Sequence, residues 1–179
     1  MVIDFVVILG LYLVFFRKWR TLGKDVLLVN TLMYVYLAFV LYFTLMPVVT
    51  ALPFVFDHAY VPMNLVPFID VSMGRGDYWR QIILNIVMTV PFGMLFPLTR
   101  AGKGKFWRTV LMCFLMSLGI ELLQPLIDST RSSDITDLIT NVTGGVVGYG
   151  FYLALKPVWR KALRYLKPEK EGQAEEGVL

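Results

Sequence analysis

The sequence has few of the residues from which soluble catalytic sites are built. Its 179 residues include one Cys and one His, and only 17% of them are charged. The single Cys113 excludes an intrachain disulfide framework and a cysteine-based metal site. Because it lies in "LMCFLM", we expect it to be a small buried hydrophobe. The single His58 is not expected to be a ligand, since a lone His seldom is.

Other kinds of site are also poorly supported by the residues present. The serines, which include Ser117, Ser129, Ser132 and Ser133, have no obvious His-based relay, so a serine-hydrolase triad is not predicted. Acidic residues could hold a divalent cation through oxygen ligands, but no metal-loop spacing supports this. The sequence therefore predicts neither a metal site nor a cofactor.

Apolar residues, in contrast, are abundant. They form 57% of the chain, and the mean hydropathy is +0.65, far outside the range of a soluble domain. The fold class we expect is all-α, a polytopic membrane helix bundle with about five transmembrane helices. The five apolar windows are Val2 to Phe16, Val26 to Met46, Tyr78 to Leu98, Phe106 to Ile127 and Ile135 to Leu155.

The first window is the least typical of a membrane span. Only about fifteen apolar residues precede "RKWR", fewer than the ~20 that cross a bilayer core. Its basic residues follow the apolar run and no small-residue cleavage site appears, so we expect a retained anchor, not a signal peptide. Such a helix would thin the bilayer locally or lie among neighbouring helices.

The basic residues predict the orientation. Fourteen of the 17 Lys and Arg residues fall on one side of a five-span topology. By the positive-inside rule that side is cytoplasmic, with the N-terminus outside and the C-terminus inside. The net charge of +4 then reflects this topology and contact with anionic lipid headgroups at the cytoplasmic face, and no nucleic-acid partner is predicted.

Composition divides the chain into three parts. Residues 1–25 form an N-terminal anchor helix with a basic cytoplasmic turn, residues 26–156 form the transmembrane core, and residues 157–179 form a basic, then acidic, cytoplasmic tail that we expect to be disordered at its end. Within the core, the outer segment Pro47 to Asp77 is apolar despite its four prolines. It is predicted to be a partly re-entrant or interfacial outer loop.

Polar residues in and beside the apolar windows form two stripes, and Glu121, Asn141 and Asn85 reach the same outer-leaflet level. At 100° per residue, Ser117, Glu121, Gln124 and Asp128 share one helix face, and Asp134, Asp137, Asn141, Gly145 and Gly148 share another. Consecutive antiparallel helices joined by a short turn should bring these stripes together. Gly144 and Gly148 would permit close backbone approach on or beside the same face.

The convergence of these stripes predicts an outward-facing site. Glu121 and Asp137 are the candidates for a general acid and base, and Arg131 or Arg80 could hold an anionic group. Structural roles compete: Glu121 could pair with Arg131 or Arg80, and the amides could serve helix packing. The predicted substrate-binding residues are Asn64, Arg80, Asn85, Glu121, Gln124, Arg131, Asp134, Asp137 and Asn141.

Four ordered blocks between about residues 60 and 155 resemble the VanZ-like membrane protein family. They are "NLVPF", "LNIVMTVPFG", "ELLQ" and "RSSDITDLITNVTGGVVG". This sequence has the residue typical of the family at every motif position. These positions are Asn64, Pro67, Phe68, Asn85, Pro91, Gly93, Glu121, Gln124, Arg131, Asp134, Asp137, Asn141, Gly144 and Gly148. The resemblance implies a bacterial cytoplasmic-membrane protein with a role in teicoplanin-type glycopeptide resistance or envelope homeostasis, and it implies no settled catalytic role for any residue.

These observations predict a pocket that binds an amphipathic envelope molecule, either a membrane lipid or a lipid-linked wall precursor. Two alternatives stay open: an intramembrane acid/base enzyme that acts on such a molecule, and a non-catalytic membrane assembly partner. A transporter is less favoured because no inverted repeat is visible. The sequence does not predict whether the chain forms a homo-oligomer.

Overall fold

A computed structural model describes residues 2–55, 57 and 59–166 of the chain. His58 and residues 167–179 of the predicted tail lie outside the described residues. Seven α-helices follow one another in the described residues: α1 (Val2–Leu22), α2 (Lys24–Thr44), α3 (Val48–Ala51), α4 (Ile69–Met73), α5 (Tyr78–Leu95), α6 (Phe106–Ile127) and α7 (Ile135–Arg164). Short 3-10 turns follow α3 and α5, at Leu52–Phe54 and Phe96–Leu98.

The all-α helix bundle predicted from composition is confirmed. Four of the described helices, α2, α5 with its 3-10 turn, α6 and α7, are long and apolar enough to cross a membrane. Helix α1 is as long as α2 but is not among them, since Asp4 lies in its first turn and the basic "RKWR" stretch belongs to the same helix. The apolar window at Val2 to Phe16 therefore underestimated the length of this helix, because a helix continues through charged residues that an apolar window excludes.

Helices α1 and α2 form an antiparallel hairpin joined at Gly23, whose φ of 124° lies in the left-handed region that favours glycine. The Tyr34 hydroxyl donates to the Ile8 carbonyl oxygen at 2.6 Å, and the Asp4 carboxylate accepts from the Val49 backbone N–H at 2.8 Å. Asp4 therefore lies beside α3, which follows the end of α2. We call this end of the molecule, which also holds the α6–α7 turn, the loop end.

The opposite end, which we call the basic end, holds the α1–α2 turn, the α5–α6 turn and the last turns of α7. The Arg100 side chain donates to the Leu22 carbonyl oxygen at 3.4 Å and so connects the first two of these segments. Between the two ends lies an apolar core around Phe92, Phe96 and Cys113. Cys113 is fully buried there, as its apolar neighbours predicted.

The outer loop predicted at Pro47 to Asp77 contains short helical turns and extended stretches at the loop end. Apart from one parallel β-bridge between Asn64 and Asp134, the regular structure in the described residues is helical. The Met46–Pro47 peptide bond is cis. Since the bridge joins the loop to the first turn of α7, this segment packs against the same helix ends that hold the predicted polar residues.

Candidate functional site

Helices α5 and α7 cross with their backbones in contact, and three glycines make this possible. A Cβ atom on Gly93 or Gly148 would lie 2.0 Å from the carbonyl oxygens of Gly145 and Val90, respectively. A Cβ atom on Gly144 would lie 2.2 Å from the Ile86 carbonyl oxygen. Because no side chain fits between these helices, polar groups near the crossing are held at fixed positions.

The two predicted polar stripes of α6 and α7 face each other. The Asn141 side-chain amide donates to the Ser117 hydroxyl at 2.9 Å, and both residues are buried. One turn nearer the loop end, the Glu121 carboxylate accepts the Asp134 backbone N–H at 3.1 Å. The Ser133 hydroxyl donates to the Glu121 carbonyl oxygen. Glu121 therefore stabilises the beginning of α7.

The Asp137 carboxylate faces α5 and is held by two amide side chains. Gln81 donates to its two oxygens at 3.0 and 2.9 Å, and Asn85 donates at 2.8 Å. One turn further along α5, the buried Thr89 hydroxyl donates to the Asn141 carbonyl oxygen at 2.7 Å. The polar network thus includes α5 as well as α6 and α7.

Asn64 attaches the outer loop to the start of α7 by its side chain and by its backbone. Its amide donates to the Asp134 carboxylate at 2.8 Å. Its backbone N–H donates to the Ser133 carbonyl oxygen, and its own carbonyl oxygen accepts from the Ile135 N–H, both at 2.9 Å. The other Asp134 oxygen caps α7 by accepting the Thr136 N–H at 2.6 Å. A second loop contact joins the Phe68 N–H to the Thr136 hydroxyl at 2.9 Å.

Carboxylates dominate this network, yet its donors among the described residues are neutral. Glu121 is 2% exposed and forms no ion pair with Arg131 or Arg80, so the structural pairing considered for it from the sequence is wrong. Asp134 and Asp137 border a cavity of about 20 Å³, room for about one water molecule. The described residues hold no group of three or more His, Cys, Asp or Glu side chains suited to a metal ion.

A larger cavity of about 400 Å³ opens at the loop end between the end of α2, α3 and the α6–α7 turn. Two of the predicted binding residues line it, Gln124 and Arg131. Both donate to the otherwise free Thr44 carbonyl oxygen at the end of α2, at 3.2 and 2.9 Å. Arg131 also lies 3.7 Å from the Asp128 carboxylate, and its side chain remains 44% exposed. We call this space the Arg131 cavity.

The structure therefore divides the predicted binding residues into three groups. Gln124 and Arg131 line the Arg131 cavity. Arg80 is exposed on α5, with no hydrogen bond or ion pair to any described residue. The remaining residues form the polar network, in which Glu121 and Asn141 are buried and the others are half-buried: Asn64, Asn85, Glu121, Asp134, Asp137 and Asn141.

Sequence reasoning missed Gln81, Thr89 and Thr136 in this network and Asp4 at the loop end. A signal for two of them was present, because Gln81, Asn85 and Thr89 recur at intervals of four and must share one face of α5. Thr136 lies two residues after the Asp134 cap, and no pattern there predicts its contact with Phe68. No pattern around Asp4 predicts its contact with Val49.

Comparison with known proteins supports the resemblance seen in the motifs. The VanZ/LLP1 family model matches residues 33–156, about two thirds of the chain. The match includes the helices and the loop that form the polar network and the Arg131 cavity, whereas α1 lies outside it. No curated protein and no solved structure matches the chain. From its membrane-length helices and this match, the chain belongs to the VanZ/LLP1 family.

Proposed function

We propose that this protein binds an amphipathic cell-envelope molecule in the Arg131 cavity, with the anionic group of the ligand at the Arg131 guanidinium. The ligand class is a membrane lipid or a lipid-linked wall precursor. One observation carries the proposal: a half-exposed arginine lies in a cavity of about 400 Å³ that also has apolar walls. Such a combination suits a molecule with a charged head and an apolar chain.

The chemistry of the cavity supports this ligand class. Leu45, Pro47 and Phe54 line one part, and Gln124 and Arg131 line another. Arg131 donates to Thr44 through one nitrogen of its guanidinium, so other N–H groups of its fork remain for a phosphate or a carboxylate. The Asp128 carboxylate, 3.7 Å from Arg131, partly neutralises the guanidinium, so an anionic ligand must share Arg131 with Asp128 or displace it.

The polar network would serve this site by positioning the α6–α7 turn. Shortly after Arg131, the Glu121 carboxylate accepts the Asp134 backbone N–H. The Asn64 backbone is hydrogen-bonded to Ser133 and to Ile135 on either side of it. A turn held at both sides loses little conformational freedom when a ligand binds at Arg131. In this hypothesis the network residues are positioning residues, and Gln124 and Arg131 are the residues that touch the ligand.

The proposed location is a bacterial cytoplasmic membrane with the loop end outside. The basic residues of the α1–α2 turn, the α5–α6 turn and the end of α7 support this orientation by the positive-inside rule. An outward cavity would meet wall precursors and glycopeptides on the same membrane face. Teicoplanin-type resistance would follow if ligand binding changes the access of the antibiotic to its target.

Native mass spectrometry of the protein purified from its own membrane tests the proposal. We expect wild type to retain an anionic lipid or precursor and Arg131→Gln to lose about tenfold or more of it, because a charge-assisted contact is removed. The matched control is Arg75→Gln, which removes an exposed arginine at the same end but outside the cavity. Equal retention by both variants, with unchanged melting temperatures, would contradict the proposal.

The second candidate function is an intramembrane acid/base enzyme, favoured by the close Asp134 and Asp137 carboxylates beside the cavity of about 20 Å³. The test compares lipid extracts of cells that make wild type or Asp137→Asn. An enzyme predicts a chemically changed lipid or wall precursor that disappears with Asp137→Asn. Identical extracts would leave Asp137 as a helix-packing residue.

A further inference from the structure

A second polar cavity, of about 420 Å³, lies at the basic end, far along the helices from the Arg131 cavity. It opens between the α5–α6 turn and the last three turns of α7. The polar residues in its wall are Thr99, Lys103, Tyr152, Lys156, Trp159 and Arg160. We call it the basic cavity.

The charge of the basic cavity is unbalanced. Lys103, Lys156 and Arg160 line it, and no carboxylate does so among the residues that the structure describes. Lys156 and Arg160 are four residues apart on α7, a spacing at which like charges repel. Asp25 borders a separate cavity of about 150 Å³ together with Arg100. The cationic groups of the basic cavity thus have no counter-ion among the described residues.

The turn that carries Lys103 is rigid. Lys103 has a φ of 48°, unusual for a residue other than glycine, and its backbone N–H donates to the Thr99 carbonyl oxygen at 3.1 Å. The next residue, Gly104, donates to the Pro97 carbonyl oxygen at 2.9 Å and accepts the Tyr149 hydroxyl at 2.8 Å. Non-glycine residues in this region persist when surrounding contacts enforce them, and they are frequent at ligand-binding positions.

Trp159 adds an apolar wall and an unused donor. Its indole Nε1–H is buried and has no hydrogen-bond partner among the described residues, a condition that costs free energy. Leu98 and Leu163 add further apolar surface to the wall. Exposed Trp107 and Tyr165 lie near the same end and are typical of the membrane interface. A phosphate with an attached glycerol or sugar would therefore meet both charge and apolar surface.

We propose that the basic cavity is a phosphate-binding site in which Lys103, Lys156 and Arg160 hold the anion. The phosphate belongs to a phospholipid headgroup or to a soluble phosphate ester. The site does not depend on the proposed function of the Arg131 cavity, which lies at the other end of the helices.

The experiment measures binding of dihexanoyl phosphatidylglycerol to the full-length protein in an uncharged detergent, by native mass spectrometry. The cavity variant is Lys156→Gln with Arg160→Gln. The control variant is Lys161→Gln with Arg164→Gln, which removes the same charge from the same helix outside the cavity. Neither the Lys156 nor the Arg160 side chain forms a hydrogen bond or an ion pair with a described residue, so we expect both variants to fold and to keep the wild-type melting temperature.

We expect the cavity variant to bind about tenfold or more weakly and the control variant to stay within about twofold of wild type. Trp159→Phe keeps the ring and removes the donor, so a smaller loss is expected. Equal losses in both double variants would show diffuse surface electrostatics and overturn the proposal, as would no detectable binding to wild type. Competition by glycerol phosphate or inorganic phosphate would identify a soluble ester as the ligand, and its absence would identify the lipid headgroup.

Discussion

The α5–α7 pair and the α1–α2 hairpin are both made of long apolar helices, but they are joined in different ways. Glycines bring the backbones of α5 and α7 into contact, and amides and carboxylates connect them at the loop end. Between α1 and α2 lies an apolar groove of about 640 Å³ lined by side chains such as Phe5, Tyr12 and Phe39. The first pair lies within the family match, and α1 lies outside it.

This difference shows which helix contacts determine the arrangement of the bundle most strongly. In a bilayer, lipid chains cover an apolar groove as well as a helix does, so the apolar contacts of α1 fix it weakly. This helix is held mainly by a few hydrogen bonds, such as that of the Tyr34 hydroxyl to the Ile8 carbonyl oxygen. A backbone crossing with buried polar groups tolerates few alternatives, because each polar group would lose its partner if the helices moved. We therefore expect substitutions in the α5–α7 pair to cost much more free energy of unfolding than substitutions in the α1–α2 hairpin.

The largest effect is expected at Gly148. A Cβ atom there would lie 2.0 Å from the Val90 carbonyl oxygen, so Gly148→Ala must push α5 and α7 apart at a cost of about 3 kcal/mol or more. The control is Gly150→Ala on the same helix, where a Cβ atom meets nothing within 4 Å. Thermal unfolding of the purified protein, followed by circular dichroism, measures both. A similar melting temperature for the two variants would refute the close crossing.

A smaller effect is expected at Glu121, whose carboxylate accepts the Asp134 N–H in a buried position. Glu121→Leu leaves this donor without a partner and should reduce the free energy of unfolding by about 1–3 kcal/mol. Glu121→Gln keeps an acceptor oxygen and should cost less than half as much. Chemical denaturation in detergent gives both values, and equal losses would mean that the side chain acts through its packing and not through this hydrogen bond.

Much of the α5–α7 region was predictable from the sequence. Helical periodicity put Ser117 of α6 and Asn141 of α7 on facing stripes. The glycine spacing indicated close approach on or beside that face, whereas Gly144 and Gly148 contact the α5 backbone. Both features follow from the spacing of residues along a single helix. The sequence could not predict that Arg131 and Glu121 lie in different places. Counting residues along a helix gives the depth of a side chain in the membrane, but not the neighbouring helix that it faces.

Contacts between distant parts of the chain were the least predictable. Asn64 and Asp134 are 70 residues apart, and their bridge depends on how an irregular loop folds back over α7. The sequence indicated both as binding residues and could not pair them. The contact of Asp4 in α1 with Val49 in α3 spans 45 residues and was not predictable for the same reason.

The smallest effect is expected in the α1–α2 groove, at Leu9. This side chain lines the groove and is 60% exposed, so lipid or detergent replaces the contacts that Leu9→Ala removes, and the loss should stay below about 0.5 kcal/mol. Leu95→Ala is the matched substitution in the core, where the side chain is 7% exposed and a cavity would remain, at a cost of about 2 kcal/mol or more. Unfolding curves of the two variants in one detergent measure the difference. A substitution loses packing energy only where lipid cannot occupy the space that the side chain leaves. If Leu9→Ala reduced the free energy of unfolding as much as Leu95→Ala, the α1–α2 hairpin would therefore be packed as tightly as the α5–α7 pair.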